Sequence, residues 1–126
     1  MSTMPKLLHV SNVDQSIQFY TEVFGMQLLR KQDFPDGRYT LASLGYNDDD
    51  PSEIELSHNW GADSPESASS AAAMRLMVDD AIKVCDDSKY AKGEVLRYFV
   101  DKEHHSAEAV LKDPDGYIIE VVQQAH

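Results

Sequence analysis

The segment Asp113-Pro114-Asp115-Gly116-Tyr117-Ile118-Ile119-Glu120-Val121-Val122 joins a tight turn to a short aliphatic strand. Pro114 presets the backbone for the turn, and Gly116 accepts a positive φ at its end. Because successive side chains of a strand point to opposite faces, Glu120 shares its face with the aliphatic residues two positions before and after it. An ionised carboxylate in that setting requires a cation, a proton or hydrogen bonds.

A second strand of the same kind closes the first half of the chain. It reads Ser52-Glu53-Ile54-Glu55-Leu56-Ser57-His58-Asn59, and Glu55 again lies between aliphatic neighbours. Two carboxylates at matching places in two halves predict a duplicated fold with a cation site between the halves.

The first half is predicted to be β-α-β-β-β. A strand over residues 6–10 leads to Asn12, a good helix N-cap with Gln15 three residues later. Apolar residues then recur at helical spacing as far as Gly25, a natural C-cap. Three strands with alternating polarity follow, over residues 26–33, 38–44 and 53–59.

The same pattern restarts after residues 61–70, a linker of small and polar residues. A strand over 72–78 precedes a helix over 81–88, capped by Asp79 or Asp80. Three more strands are predicted, over residues 94–100, 107–112 and 117–122. We therefore expect one domain over residues 1–126, with modules at about 4–60 and 71–123.

Composition narrows the class of protein. The 126 residues are 42% hydrophobic and 26% charged, as is typical of a globular domain, and neither a membrane span nor a signal-peptide pattern is apparent. A net charge of -11 disfavours nucleic acid and anionic membranes as partners. The lone cysteine, Cys85, excludes an internal disulfide and favours the cytoplasm.

Several runs together resemble glyoxalase I, the lactoylglutathione lyase of the vicinal oxygen chelate superfamily. They cover nearly the whole chain and lie at residues 16–21, 24–26, 28–30, 39–41, 44–46, 54–61, 78–79 and 113–120. The resemblance implies an α+β fold in which two βαβββ modules with curved mixed sheets form a cup. It also implies a homodimer whose chains complete each other's cups. The implied reaction converts the hemithioacetal of methylglyoxal and glutathione to S-lactoylglutathione, using a divalent nickel or zinc ion.

The resemblance assigns one metal ligand to each of four strands. Glu55 and Glu120 occupy two of these positions, and they are the expected catalytic and metal-binding residues. Pro5 and Ala73 occupy the other two, where the family carries histidine or glutamine. Neither side chain can bind a metal, so we expect an impaired or absent metal centre.

Three further residues are candidates for binding a substrate. His9 replaces a family arginine that holds a glutathione carboxylate, and it is either an anion ligand or a hydrogen-bonded cup or core histidine. Asn59 matches a residue that contacts glutathione, or it satisfies the turn that follows. Arg75 shares the strand face of the lost ligand at position 73; it either pairs with Glu120 or Glu55 through two hydrogen bonds or extends into solvent.

Other polar residues are expected to be structural. His104 and His105 are adjacent in a loop, and neighbours on an extended chain point apart, which disfavours a metal pair. The acidic run at 47–50 lacks the ligand spacing of an EF-hand. Cys85 falls in a helical apolar stripe and is expected to be a packed thiol.

The sequence leaves three functions open. The first is a glyoxalase I relative with an impaired or absent metal centre, which retains a cup for a small molecule or a glutathione conjugate but has little isomerase activity. The second is an active lactoylglutathione lyase with a rearranged site of Glu55, Glu120, waters and His9, which suits magnesium or manganese. The third is a structural or regulatory dimer whose cup is filled by side chains.

Overall fold

The computed structural model describes residues 6–46, 53–61 and 74–123. The first module contains β1 (Lys6–His9), α1 (Val13–Phe24), β2 (Gln27–Phe34), β3 (Tyr39–Gly45) and β4 (Ile54–Asn59). The second contains β5 (Met74–Val78), α2 (Ala81–Tyr90), β6 (Glu94–Asp101), β7 (Ser106–Lys112) and β8 (Ile118–Gln123). The predicted order of elements is confirmed in both halves.

Each module builds one four-stranded sheet, and the two sheets have the same topology. Their strand orders are β1-β4-β3-β2 and β5-β8-β7-β6. The first and last strands of each module pair in parallel, and the remaining pairs are antiparallel. The protein is therefore an α+β fold with two mixed sheets, as the sequence predicted.

Both helices begin at the residues that their caps predict, and α1 ends at Gly25 as predicted, whereas α2 continues to Tyr90, two residues past its expected end. The Asn12 side chain accepts a hydrogen bond from the Gln15 backbone N–H at 3.0 Å. Gly25 ends α1 in the left-handed conformation, with φ 71°. Of the two candidate caps of α2, Asp80 is the one used, since its carboxylate accepts a bond from the Lys83 N–H at 3.1 Å.

One buried cluster of apolar side chains includes residues from both modules. In each sheet, alternate residues turn toward the helices and become buried, including Leu8, Ile54 and Leu56 in the first sheet. Phe19 and Tyr20 of α1 are fully buried, and their rings meet edge to face with centroids 5.0 Å apart. Burial of a large aromatic side chain stabilises the fold by roughly 2 kcal/mol or more.

The turn between β7 and β8 ties the second module to the first. Asp113 is buried and accepts a hydrogen bond from the Tyr20 hydroxyl at 2.7 Å. Asp115 accepts one from the Ser11 hydroxyl at 2.7 Å. The Tyr117 hydroxyl accepts from the His9 N–H at 2.9 Å and donates to the His9 carbonyl at 3.1 Å. This turn is thus a joint between the modules as well as a chain reversal.

The positions of Pro5 and Ala73, the acidic run at 47–50 and most of the linker lie outside the described residues. Within residues 6–46, 53–61 and 74–123, neither helix is long and apolar enough to cross a membrane.

Candidate functional site

Each sheet has one face against a helix and one face turned away from it, which we call the open face. Glu55 lies on the open face of the first sheet, between Leu7 of β1 and Ser43 of β3. Glu120 lies on the open face of the second sheet, between Arg75 of β5 and Val110 of β7. The pairing registers show that the two glutamates are structural equivalents in the repeat.

Arg75 lies beside Glu120 but does not form the expected bidentate pair. Its Nη1 is 3.9 Å from Oε2 of Glu120, which is longer than a hydrogen bond. The two side chains are 63% and 48% exposed. Glu120 is therefore exposed in the single chain, because the described residues leave the open face of its sheet uncovered. Solvent screens this ion pair and weakens it.

His9 and Asn59 also lie on the open face of the first sheet. His9 pairs with Ser57, which lies two residues after Glu55 on β4, and the His9 side chain is exposed. The core alternative for His9 is therefore wrong; the hydrogen bonds with Tyr117 involve its backbone and leave the ring available. Asn59 is the last residue of β4, is exposed and pairs with Tyr39. That either one binds a substrate stays a prediction.

The loop histidines are arranged differently from a metal pair. The Nδ1 atom of His104 lies 2.7 Å from Oδ2 of Asp101, and the His104 backbone N–H donates to the same carboxylate. This hydrogen bonding lowers the pKa of Asp101. His105 adopts a positive φ of 53° as part of the turn. His104 and His105 therefore have a structural role in the turn between β6 and β7.

The described part of the chain contains no group of three or more His, Cys, Asp or Glu side chains that could hold a metal ion. Glu55 and Glu120 belong to different sheets of the chain. Of the four ligand positions that the resemblance assigns, only those of Glu55 and Glu120 carry a side chain that can bind a metal. The guanidinium of Arg75 lies near the second of these carboxylates.

A cavity of about 240 Å³ adjoins Glu120 on the open face of the second sheet. Besides the predicted Arg75, its walls include Arg97, Phe99 and Glu108. Sequence analysis missed these three residues. The signal that finds them is the pairing register of β6 with β7, because it fixes which side chains of the edge strand turn to the open face.

A larger cavity of about 580 Å³ lies between α2 and β6, on the helix side of the sheet. In the first module, Lys31 of β2 and Asp14 of α1 form an ion pair of 3.0 Å. In the second module Tyr98 and Ile82 stand at the equivalent places, and both are exposed. Neither Glu55 nor Glu120 lines this cavity.

Residues 5–121 match the Glyoxalase/Bleomycin resistance protein/Dioxygenase superfamily. The chain belongs to this superfamily. Among sequences, it is 38% identical to lactoylglutathione lyase of Neisseria meningitidis, across 98% of this chain and 91% of that protein. It is 43% identical to a probable lactoylglutathione lyase of Vibrio cholerae, across 95% of this chain and 90% of the relative.

Solved structures of the superfamily share the fold. Glyoxalase I from Zea mays superposes with a TM-score of 0.82 at 33% identity, covering 99% of this chain and 45% of the maize chain. The protein thus spans about half of that longer chain. Glyoxalase I from Leishmania major superposes with a TM-score of 0.80 at 31% identity, covering 98% and 86% of the two chains. The predicted resemblance to glyoxalase I is confirmed.

Proposed function

We propose that this glyoxalase superfamily member binds a glutathione-like thiol conjugate on its open faces and isomerises the methylglyoxal hemithioacetal slowly, because its metal centre is impaired or lost. The observation that carries the proposal is the pair Pro5 and Ala73, which stand where the family has metal-binding side chains. The similarity to lactoylglutathione lyases supports the class of ligand.

The residues present do not fit a nickel or zinc ion. Such ions require about four protein ligands, or three with one open position, and imidazole nitrogens are preferred donors. Here two carboxylates remain, and the positive charge of Arg75 lies 3.9 Å from one of them. A cation next to Glu120 competes with a metal for that carboxylate.

We further propose that the protein is a cytoplasmic homodimer. The open faces carry charged and polar side chains in the single chain: Glu120 and His9 are exposed, and Glu55 is half-buried. A second copy that brings its second sheet opposite the first sheet of its partner would enclose both glutamates in one cup. Enclosure would desolvate these carboxylates and strengthen the contact of Glu120 with Arg75.

A second candidate is an active lactoylglutathione lyase with a rearranged site. The observation that favours it is the retention of both Glu55 and Glu120 in a chain 38–43% identical to lactoylglutathione lyases. Two carboxylates and water molecules would suit magnesium or manganese, both of which prefer oxygen ligands. His9 would contribute a further donor or bind an anion.

The test measures isomerisation of the methylglyoxal–glutathione hemithioacetal before and after incubation with nickel, zinc, manganese or magnesium. We expect binding of S-methylglutathione, with turnover far below the median enzyme rate of about 10 s⁻¹ under every condition. Turnover near that rate with one of the metals would favour the second candidate. No binding and no turnover would reject both and leave a structural dimer.

A further inference from the structure

The edge strand of the second sheet exposes large apolar side chains. In the described part of the chain, β6 pairs with β7 on one side, and its other edge is free. Tyr98 and Phe99 are adjacent on this strand and are 68% and 66% exposed. Unpaired backbone groups of an edge strand are a template for pairing with another chain, and proteins block such edges with charged side chains. The centre of β6 carries two aromatic rings instead.

The matching edge strand of the first sheet, β2, is protected in this way. The pairing registers place Lys31 and Gln32 at the positions equivalent to Tyr98 and Phe99. Lys31 also forms an ion pair with Asp14 of α1 at 3.0 Å. The same place in the repeat is therefore polar and charged in one module and aromatic in the other.

The residues beside the edge strand differ between the modules in the same sense. On the first sheet, Asp33 accepts a hydrogen bond from the Thr40 hydroxyl at 2.7 Å. Val100 and Ala107 stand at the equivalent positions of the second sheet. Both line the cavity of about 580 Å³ between α2 and β6. The second module thus has an open apolar groove next to its free edge.

The central segment of β6, Arg97-Tyr98-Phe99-Val100-Asp101, is complementary to itself in the antiparallel direction. When two copies pair about a two-fold axis at Phe99, each Arg97 lies opposite Asp101 of the other copy. In the same register Tyr98 lies opposite Val100, and the two Phe99 side chains face each other. Opposite-charge, aromatic–β-branched and aromatic–aromatic pairs are the cross-strand combinations that stabilise antiparallel sheets.

The two charged residues of this segment are available for such a contact. The ion pairs found in the part of the chain that the structure describes do not include Arg97. Asp101 is held in place by the backbone N–H and the ring of His104. A carboxylate has about four acceptor sites, so Asp101 can accept hydrogen bonds from an arginine as well.

We propose that two copies of this protein associate edge to edge through antiparallel pairing of β6, which joins their second sheets into one continuous sheet. On the helix side, Tyr98 and Val100 of the two copies would meet where the two apolar grooves adjoin. The contact lies in the plane of the sheet, whereas the proposed cup joins open faces, so this inference does not rest on the proposed function.

The size of the patch predicts a weak association. A large aromatic side chain buries about 150–250 Å² when it is enclosed, and each copy contributes two such side chains. Together with their apolar neighbours, these residues bury less than roughly 1,200 Å², the size of weak and transient interfaces. The association should therefore depend on protein concentration.

The experiment measures sedimentation velocity over a concentration series. We expect two particles to combine, from monomer to dimer or, where the cup forms, from dimer to tetramer. Phe99→Lys places like charges opposite each other on the two-fold axis and should weaken this step about tenfold or more. Gln32→Lys makes the same change of charge at the equivalent place on β2 and should leave the step unchanged. A wild type of constant size, or equal association of wild type and Phe99→Lys, would overturn the proposal.

A thiol at position 99 tests the register directly. In Phe99→Cys, residues opposite each other have Cβ atoms about 5 Å apart, so a short bismaleimide should join the two chains. Gln32→Cys is the matched control, and the wild type, with only its buried Cys85, controls for that thiol. Phe99 is exposed, so its replacement should not prevent folding. Cross-linking of Gln32→Cys as fast as that of Phe99→Cys would show random collision and contradict the proposal.

Discussion

Nη1 of Arg75 lies 3.9 Å from Oε2 of Glu120, on the face of the second sheet that the helices leave uncovered. The resemblance to glyoxalase I predicts a metal ion next to the glutamate of this strand. Here a fixed side chain brings a positive charge to the same carboxylate. The pair is exposed in the single chain and contributes little to fold stability, and we propose that it competes with a metal instead.

Replacement of Arg75 tests this competition. We expect Arg75→Ala to change the free energy of unfolding by less than about 1 kcal/mol, because exposed ion pairs contribute little. The same change removes a positive charge beside Glu120, so the affinity for Mn²⁺ should rise. Urea denaturation and manganese titration check the two effects. Lys83→Ala, which removes an exposed lysine of α2, is the charge-matched control and should leave manganese affinity unchanged.

The stability of the protein should depend on the Tyr20 hydroxyl, which joins the two modules through Asp113. Tyr20→Phe removes the donor 2.7 Å from the buried Asp113 carboxylate. We expect the free energy of unfolding to fall by about 1–3 kcal/mol, because a buried acceptor loses its partner. Tyr98→Phe removes a hydroxyl from a side chain that is 68% exposed and should change stability far less. Equal effects of the two changes in urea denaturation would contradict this account of the joint.

The pH dependence of stability should also report on Asp113. Burial raises its pKa, against the lowering effect of hydrogen bonds from Tyr20 and from the Tyr117 and Asp115 backbone N–H groups. A carboxyl with a raised folded-state pKa binds its proton more tightly when folded, so its contribution favours the folded state at low pH. That contribution is present below the unfolded pKa of about 3.9 and is lost as pH rises through the folded-state pKa.

The measurement compares wild type with Asp113→Asn, which retains an acceptor oxygen but cannot titrate. The free energy of unfolding of the wild type, relative to the variant, should rise as pH falls from neutral toward 4. A difference that stays constant or falls over this range would show that the Asp113 pKa is not raised. Asp101, whose pKa His104 lowers, is unaltered in both proteins and cancels in the comparison.

Cys85 should react slowly with thiol reagents. Its side chain is buried on α2, and desolvation raises its pKa, so little reactive thiolate forms at neutral pH. We expect alkylation by iodoacetamide to be at least about tenfold faster in urea than in buffer. Similar rates in both would show that the thiol is accessible in the folded protein.

The local elements were predictable because their signals are local. Asn12 and Asp80 cap the helices through contacts within three residues, and Gly25 takes the positive φ that glycine allows. The repeat predicted the same order of elements in both halves, and the resemblance to glyoxalase I implied the two mixed sheets. The equivalent positions of Glu55 and Glu120 followed from strand alternation within the motifs.

Features that depend on distant strands were not predictable. The bulge before Arg97 is defined by its pairing with β7, so alternation along β6 alone does not reveal which side chains face the cavity. The exposure of Glu120 depends on what covers the sheet, which the strand pattern does not encode. The burial of Asp113 could not be predicted from the sequence either, because its partner Tyr20 lies in the other module.

The most direct test of the central claim is metal stoichiometry after dialysis against nickel or zinc, measured for the wild type and for the double variant Pro5→His with Ala73→His. The account predicts far less than one ion per chain for the wild type, because two carboxylates cannot complete the site. It predicts about one ion per chain for the double variant, whose donor set matches a four-ligand centre. A wild type that retains one tightly bound ion per chain would contradict the claim.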